Sequence, residues 1–203
     1  MGDRLDRGGL AWRPVRLVLL GAPGSGKGTQ AAALAGHLGV AHISSGDLLR
    51  QHVAAGTELG AQVAERLDRG ELVPDEIVAS VVADALATAG SSGYVLEGFP
   101  RTVSQARQAD ASHPSGLADA VVMLELPDDL ARRRIVERAA AGRSDDRDPE
   151  VVDHRLRRFH AATEPLVDYY RRRGVLVTVD AAQPPDAVTA AILAALADRR
   201  SPS

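Results

Sequence analysis

Five short runs of the chain are apolar almost without interruption, and between them apolar residues recur at helical spacing. The runs are Val15–Leu20, Ala41–Ser44, Tyr94–Glu97, Ala120–Leu126 and Val175–Val179. A strand that is apolar on both faces must be covered on both faces, the condition of a parallel sheet buried between helices. The intervening stretches predict helices over Gly26–Leu38, Gly46–Ala55, Leu59–Arg69, Asp75–Ala89, Thr102–Asp110, Asp128–Ala140, Pro149–Arg173 and Pro185–Arg199. Strands alternating with helices predict an α/β fold, a doubly wound five-stranded parallel sheet. Two segments break this rhythm: the helical pair between about Ser45 and Val73, and the polar stretch Gly142–Asp148. Both fall where strands end, the side on which such sheets bind ligands, and are expected to close over them.

The first apolar run leads into Gly21-Ala22-Pro23-Gly24-Ser25-Gly26-Lys27-Gly28-Thr29-Gln30, and an Ala-rich helix follows. Strand, glycine-rich turn and helix N-terminus together form a phosphate cradle built from backbone N–H groups. The charge composition sharpens this reading. Lys and Arg number 24, and the only lysine is Lys27. Arginine has a planar fork suited to bidentate pairs, whereas lysine places a compact charge along β- and γ-phosphates. The loop therefore implies a bound nucleoside triphosphate, with Lys27 reaching outward to it. Unlike the common form of the loop, Gly28 follows the lysine and the hydroxyl comes one residue later, at Thr29.

Composition excludes several classes. At 203 residues, 45% of them hydrophobic, the chain can bury one core with small appended lobes. A net charge of −3 and 3% aromatic residues oppose a dedicated nucleic-acid binder, despite the runs Arg132–Arg134 and Arg171–Arg173. Without cysteine there is neither a disulfide framework nor a thiolate zinc site. No apolar stretch approaches membrane-spanning length, and residues 1–14 read as a flexible tail. A cytoplasmic protein is the expectation. The chain has no asparagine, so it lacks the Asn-Lys-x-Asp motif of guanine switches.

Four ordered motifs then coincide. They are the GAPGSGKGTQ loop; His42-Ile43-Ser44-Ser45-Gly46-Asp47-Leu48-Leu49-Arg50; Leu96-Glu97-Gly98-Phe99-Pro100-Arg101 with Thr102 and Gln105; and Arg138, Gly142-Arg143-Ser144-Asp145-Asp146 and Arg155. On these the chain resembles the adenylate kinases, within the nucleoside monophosphate kinases, from about Val15 to its end. The resemblance implies one kinase domain over 15–203. Its core would be 15–44, 74–137 and 149–203, its monophosphate-binding lobe 45–73 and its short lid 138–148. The implied reaction is Mg²⁺-dependent phosphoryl transfer from ATP to AMP giving ADP, in a protein acting as a monomer without nucleic acid or membrane.

The resemblance also distributes roles. Gly24, Ser25, Gly26, Lys27, Gly28, Thr29, Arg138 and Gln183 would hold ATP. Ser45, Arg50, Glu71, Leu72, Val73, Gly98, Arg101, Gln105, Arg143 and Arg155 would hold AMP. Lys27, Arg101, Arg138, Arg143 and Arg155 would carry catalysis, with Arg134 able to share the part of Arg138. Magnesium would sit at Thr29 and, through water, at Glu97, where the family usually has Asp; a capping role or an ion pair with Arg101 is the alternative for Glu97. Ser45 stands where adenylate kinases usually have Thr. It keeps the hydroxyl that, with Gln105, favours adenine, and a pyrimidine monophosphate kinase is the alternative. A P-loop ATPase or nucleotide-binding module is the alternative from another class. Between Gly142 and Asp148 there is no Cys or His, so the lid is expected to close by charge without zinc.

Overall fold

The computed structural model describes residues 15–69, 71, 73–113, 116–140 and 148–199. The tail over 1–14, Leu72 and the lid residues 141–147, Arg143 among them, lie outside the described residues.

The expected alternation is present. In chain order the strands are β1 (Arg16–Gly21), β2 (Ala41–Ser44), β3 (Tyr94–Glu97), β4 (Ala120–Glu125) and β5 (Leu176–Asp180). The α-helices are α1 (Lys27–Leu38), α2 (Ser45–Ala54), α3 (Glu58–Asp68), α4 (Asp75–Ala89), α5 (Val103–Ser112), α6 (Asp128–Ala140), α7 (Pro149–Arg172) and α8 (Pro185–Asp198). The sheet is parallel throughout, in the order β2-β3-β1-β4-β5. Strand β1 lies in the middle, so the chain winds first to one side of it and then to the other. The crevice at the carboxyl end of β1 is therefore the expected ligand site.

Alternate residues of the strands feed two cores. Leu17, Leu19, Val95, Val122 and Leu124 pack with Ala31 and Leu34 of α1 and Val188 and Ile192 of α8. On the other face, Val18, Leu20, Ile43 and Leu96 pack with Val78 and Val82 of α4, Ala106 of α5 and Leu166 and Tyr170 of α7. A third cluster joins Ala22 to Ala131 and Ile135 of α6 and to Val152 and Leu156 of α7. It fixes the start of the glycine loop against the helices that lead into and out of residues 141–147. Gly24 shows how close this approach is. Its φ is 83°, and a Cβ there would meet the Ala131 carbonyl oxygen at 2.7 Å.

Helices α2 and α3 stand apart from the βαβ alternation, as the sequence pattern requires. Ser44 caps α2 by accepting the Asp47 N–H, and Thr57 caps α3 by accepting the Gly60 N–H. Away from the cleft, the carboxylate of Asp110 ties α5 to the segment before β4 and to α7. It accepts the Leu117 N–H at 2.7 Å and the Tyr169 hydroxyl at 2.7 Å, with Arg173 Nε at 3.5 Å. Replacing Asp110 by alanine leaves the Leu117 N–H without its partner. The expected loss of stability is about 1–3 kcal/mol, read from chemical denaturation, with catalytic constants unchanged.

Candidate active site

Helix α1 begins at Lys27, directly behind the left-handed Gly26 (φ 89°), and its first N–H groups point back into the loop. The positive end of the helix dipole is thus aimed at the crevice beyond β1, where an anion is held best. The crevice is a cleft of about 800 Å³. It is walled by the glycine loop, the ends of β2 and β3, and the cleft-facing sides of α2, α6, α7 and the β5–α8 connection. Ser25 lies in its wall with a buried hydroxyl that has no hydrogen-bond partner among the described residues. A loop hydroxyl left in this way is provision for a ligand oxygen.

Lys27 departs from expectation. It does not reach outward: its Nζ donates to the carbonyl oxygens of Gly21, at 2.8 Å, and Ala22, at 2.9 Å. These two bonds turn the lysine back over its own loop. Removal from bulk water pulls its pKa down to about 7, with Glu97 opposing and Arg101, Arg138 and Arg155 adding to the depression.

Arg50, Arg101, Arg134, Arg138, Arg155 and Arg158 also line the cleft, against two carboxylates among the described residues, Asp47 and Glu97. Arg50 forms an ion pair with Asp47 one turn earlier on α2. Arg101 donates from Nε to the Gly98 carbonyl at 2.7 Å, which fixes its stem at the end of β3. Removal from water, then the like charges of Arg155 and Arg50, pull Arg101 below its usual range. Much of the residue remains open to the cleft, and water entering there softens the effect. Arg134 lines the cleft as Arg138 does and also supports a turn. Its guanidinium donates to the carbonyls of Ala181, at 2.9 Å, and Ala182, at 3.4 Å, securing the turn that carries Gln183.

Glu97 is 9% exposed and stands at the cleft floor. Its hydrogen-bond partner is His42, not Arg101: Nε2 lies 3.3 Å from Oε1. Strands β2 and β3 pair with His42 opposite Val95, so Glu97, two residues on, shares the face of His42. The bond to Glu97 holds His42 above its ordinary range, against burial. The other neighbour is Gly28, where a Cβ would lie 3.3 Å from Oε1. The glycine that displaces the usual hydroxyl thus leaves the space into which the longer acid extends.

The expected acceptor residues divide. Arg50, Gly98, Arg101 and Arg155 line the cleft. Ser45, Glu71, Val73 and Gln105 are not part of that wall. Ser45 is 1% exposed, its hydroxyl without a partner among the described residues and packed against Gly98. Glu71 pairs with Arg66 at 3.8 Å, and Val73 belongs to the core. Gln105 is 3% exposed. Its Oε1 accepts the Arg101 N–H at 2.6 Å and its Nε2 donates to Asp75 at 2.7 Å, so the amide positions Arg101 directly. One N–H and one lone pair of that amide remain for a base edge. On the donor side, Gly24, Ser25, Gly26, Lys27, Gly28, Thr29, Arg138 and Gln183 all line the cleft.

The sequence assigns no role to Asp47, Arg158 or the side chain of Gln30. Asp47 and Gln30 stand inside quoted motifs, and Arg158 follows Arg155 by one helical turn. Gln30 has distant partners that its motif does not signal. It is buried and bridges to α8, donating to the Pro185 carbonyl at 2.9 Å and accepting the Thr189 hydroxyl at 2.7 Å.

Thr29 and Glu97 offer oxygen only, the donor set of a hard cation, and no group of three or more His, Cys, Asp or Glu gathers among the described residues. This suits Mg²⁺, which keeps waters and leans on phosphates instead of an all-protein cage. No helix among the described residues is long and apolar enough to cross a membrane.

A phosphate loop at a helix N-terminus, facing a second set of arginines across a single cleft, defines a nucleotide phosphotransferase with room for two anionic substrates. Residues 19–175 match the family model described as adenylate kinase. The adenylate kinase of Stenotrophomonas maltophilia (strain R551-3) is 46% identical over 186 residues, 90% of this chain and 99% of that protein. An adenylate kinase of Thermus thermophilus is 45% identical over 183 residues, 89% and 96% of the two chains. That of Thermobifida fusca is 40% identical over 188 residues, 91% and 100%. The chain belongs to the adenylate kinase family.

Replacing Gln30 by leucine removes both of its bridges from α1 to α8 beside the donor end of the cleft and leaves the Pro185 carbonyl only the Thr189 hydroxyl, at 3.1 Å. We expect the KM for the triphosphate donor to rise several-fold, with kcat and the acceptor KM held, in steady-state kinetics with each nucleotide varied in turn.

Proposed function

We propose that this chain transfers the γ-phosphoryl group of ATP reversibly to AMP, giving two ADP, as a monomer. The observation that carries the proposal is the facing of Lys27 and the loop N–H groups by Arg50, Arg101, Arg138 and Arg155 within one cleft.

The acceptor phosphate has its second ionisation near pH 6, so it arrives as a nucleophile and no general base is required. An acceptor oxygen forms a bond to the γ-phosphorus as the bond to the bridging oxygen breaks, and ADP leaves from each side. The transition state is loose, with charge spread over the equatorial oxygens, so the protein acts by position and charge. Lys27 releases the carbonyls of Gly21 and Ala22 and turns to the phosphates. Arg50 and Arg101 hold the acceptor phosphate, Arg101 with its backbone steadied by Gln105. Arg138 and Arg155 approach the transferring group. The same reading puts Arg143, outside the described residues, beside them. Thr29 and Glu97 would hold Mg²⁺, Glu97 through water, and the ion when bound neutralises the β- and γ-oxygens. Ser45 and Gln105 support adenine as the acceptor base.

A coupled assay with MgATP and, in turn, AMP, CMP, UMP and GMP tests this. AMP gives the highest kcat/KM, and no ADP forms without an acceptor. In the same assay Lys27→Met loses on the order of 10² or more in turnover. ADP formation without acceptor, or CMP or UMP favoured over AMP, overturns the assignment.

A further inference from the structure

Along α7 the residues that face the cleft recur at intervals of three and four: Arg155, Arg158, Phe159 and Ala162. Arg157, one residue before Arg158, is exposed on the other side. Arg158 is half-buried and has no ion pair among the described residues. A long cation could turn to bulk water from such a position. Here the helix face directs it into a cleft that already holds several charges of the same sign.

Its place along α7 identifies the end of the cleft that it serves. The first turns of the helix pack through Val152 and Leu156 on Ala22 and Ala131, beside the glycine loop. Further along, Leu166 belongs to the core that contains Leu49 of α2 and Phe99, two residues before Arg101. Arg158 lies between these contacts, past Arg155 in the direction of α2 and the end of β3. The electrostatics agree: Arg158 is among the charges that depress Arg101, whereas Lys27 feels chiefly Glu97, Arg101, Arg138 and Arg155.

We propose that Arg158 is a further acceptor-binding cation, which joins Arg101 in holding the phosphate of the incoming monophosphate and strengthens its capture without contributing to the transfer step. The inference rests on the assignment of a nucleoside monophosphate as acceptor. A guanidinium that meets its counter-charge only in the complex relieves the repulsion around Arg101 as the acceptor enters. A second donor on the same phosphate also restricts its rotation.

The test uses the whole chain with Arg158→Val and Arg158→Lys. AMP is titrated calorimetrically into each protein without ATP, inorganic phosphate is run as a competitor, and ATP is titrated separately. Arg158→Val is expected to weaken AMP about 5- to 20-fold, and Arg158→Lys to recover most of the loss. The Kd for ATP, kcat at saturating AMP and the midpoint of thermal unfolding should hold, and inorganic phosphate should compete less well with AMP at the Val variant. Unchanged AMP affinity in Arg158→Val, or a fall in kcat with AMP affinity intact, overturns the inference. If the wild type itself fails to bind AMP, it is the acceptor assignment that falls.

Discussion

Among the described residues, one cleft gathers seven cationic side chains and two carboxylates, and the like charges repel one another. Burial and like charges depress both Lys27 and Arg101, which is the mark of that repulsion. The fold makes the gathering possible because it places the N-terminus of α1, the ends of β2 and β3 and one face of α7 around a single crevice. Each element is fixed from behind by an apolar core, which leaves the charged residues facing forward. The arrangement is completed only by polyanions. A donor and an acceptor nucleotide together supply the negative charge, and their reaction product is again two polyanions, so the reaction runs in either direction within the same field.

Within that field several side chains act on other side chains instead of on substrate. His42 holds Glu97, Gln105 holds the backbone of Arg101, Arg134 holds the turn at Ala181, and Gln30 holds Pro185. Such supports hold the charged groups and the turns beside them in place around the cleft. Lys27 uses the loop's own carbonyls in the same way. The longer acid at Glu97 fits this scheme as a local adjustment, with Gly28 giving it room and His42 an anchor.

The fold was legible in the sequence because a buried parallel strand must be apolar on both faces, and few other structures impose that condition. The strand ends shift by a residue or so: β1 begins at Arg16, one after the apolar run, since Arg16 ties its side chain to Asp119. The phosphate loop and the cleft arginines were legible because each sits inside a local motif. The bridge that Gln30 makes was not, because its partners are more than 150 residues away and only the packing of α8 on α1 brings them together. The pairing of His42 with Glu97 needed the register of β2 on β3, which no single motif carries. The inward fold of Lys27 was not legible for a different reason: the motif signals a phosphate partner and not the carbonyls of Gly21 and Ala22 to which the lysine donates.

Phosphate charge, more than the base, completes this cleft. The most direct test is the midpoint of thermal unfolding with adenosine, AMP, ATP and inorganic tripolyphosphate, each at the same concentration and low ionic strength. A ligand at about 100 times its Kd adds roughly 2.7 kcal/mol of stability, which is readily measured as a shift. The account predicts clear stabilisation by ATP and by tripolyphosphate, less by AMP, and almost none by adenosine, with the shifts shrinking as salt is added. Adenosine that stabilises as well as ATP, or tripolyphosphate without effect, would contradict it.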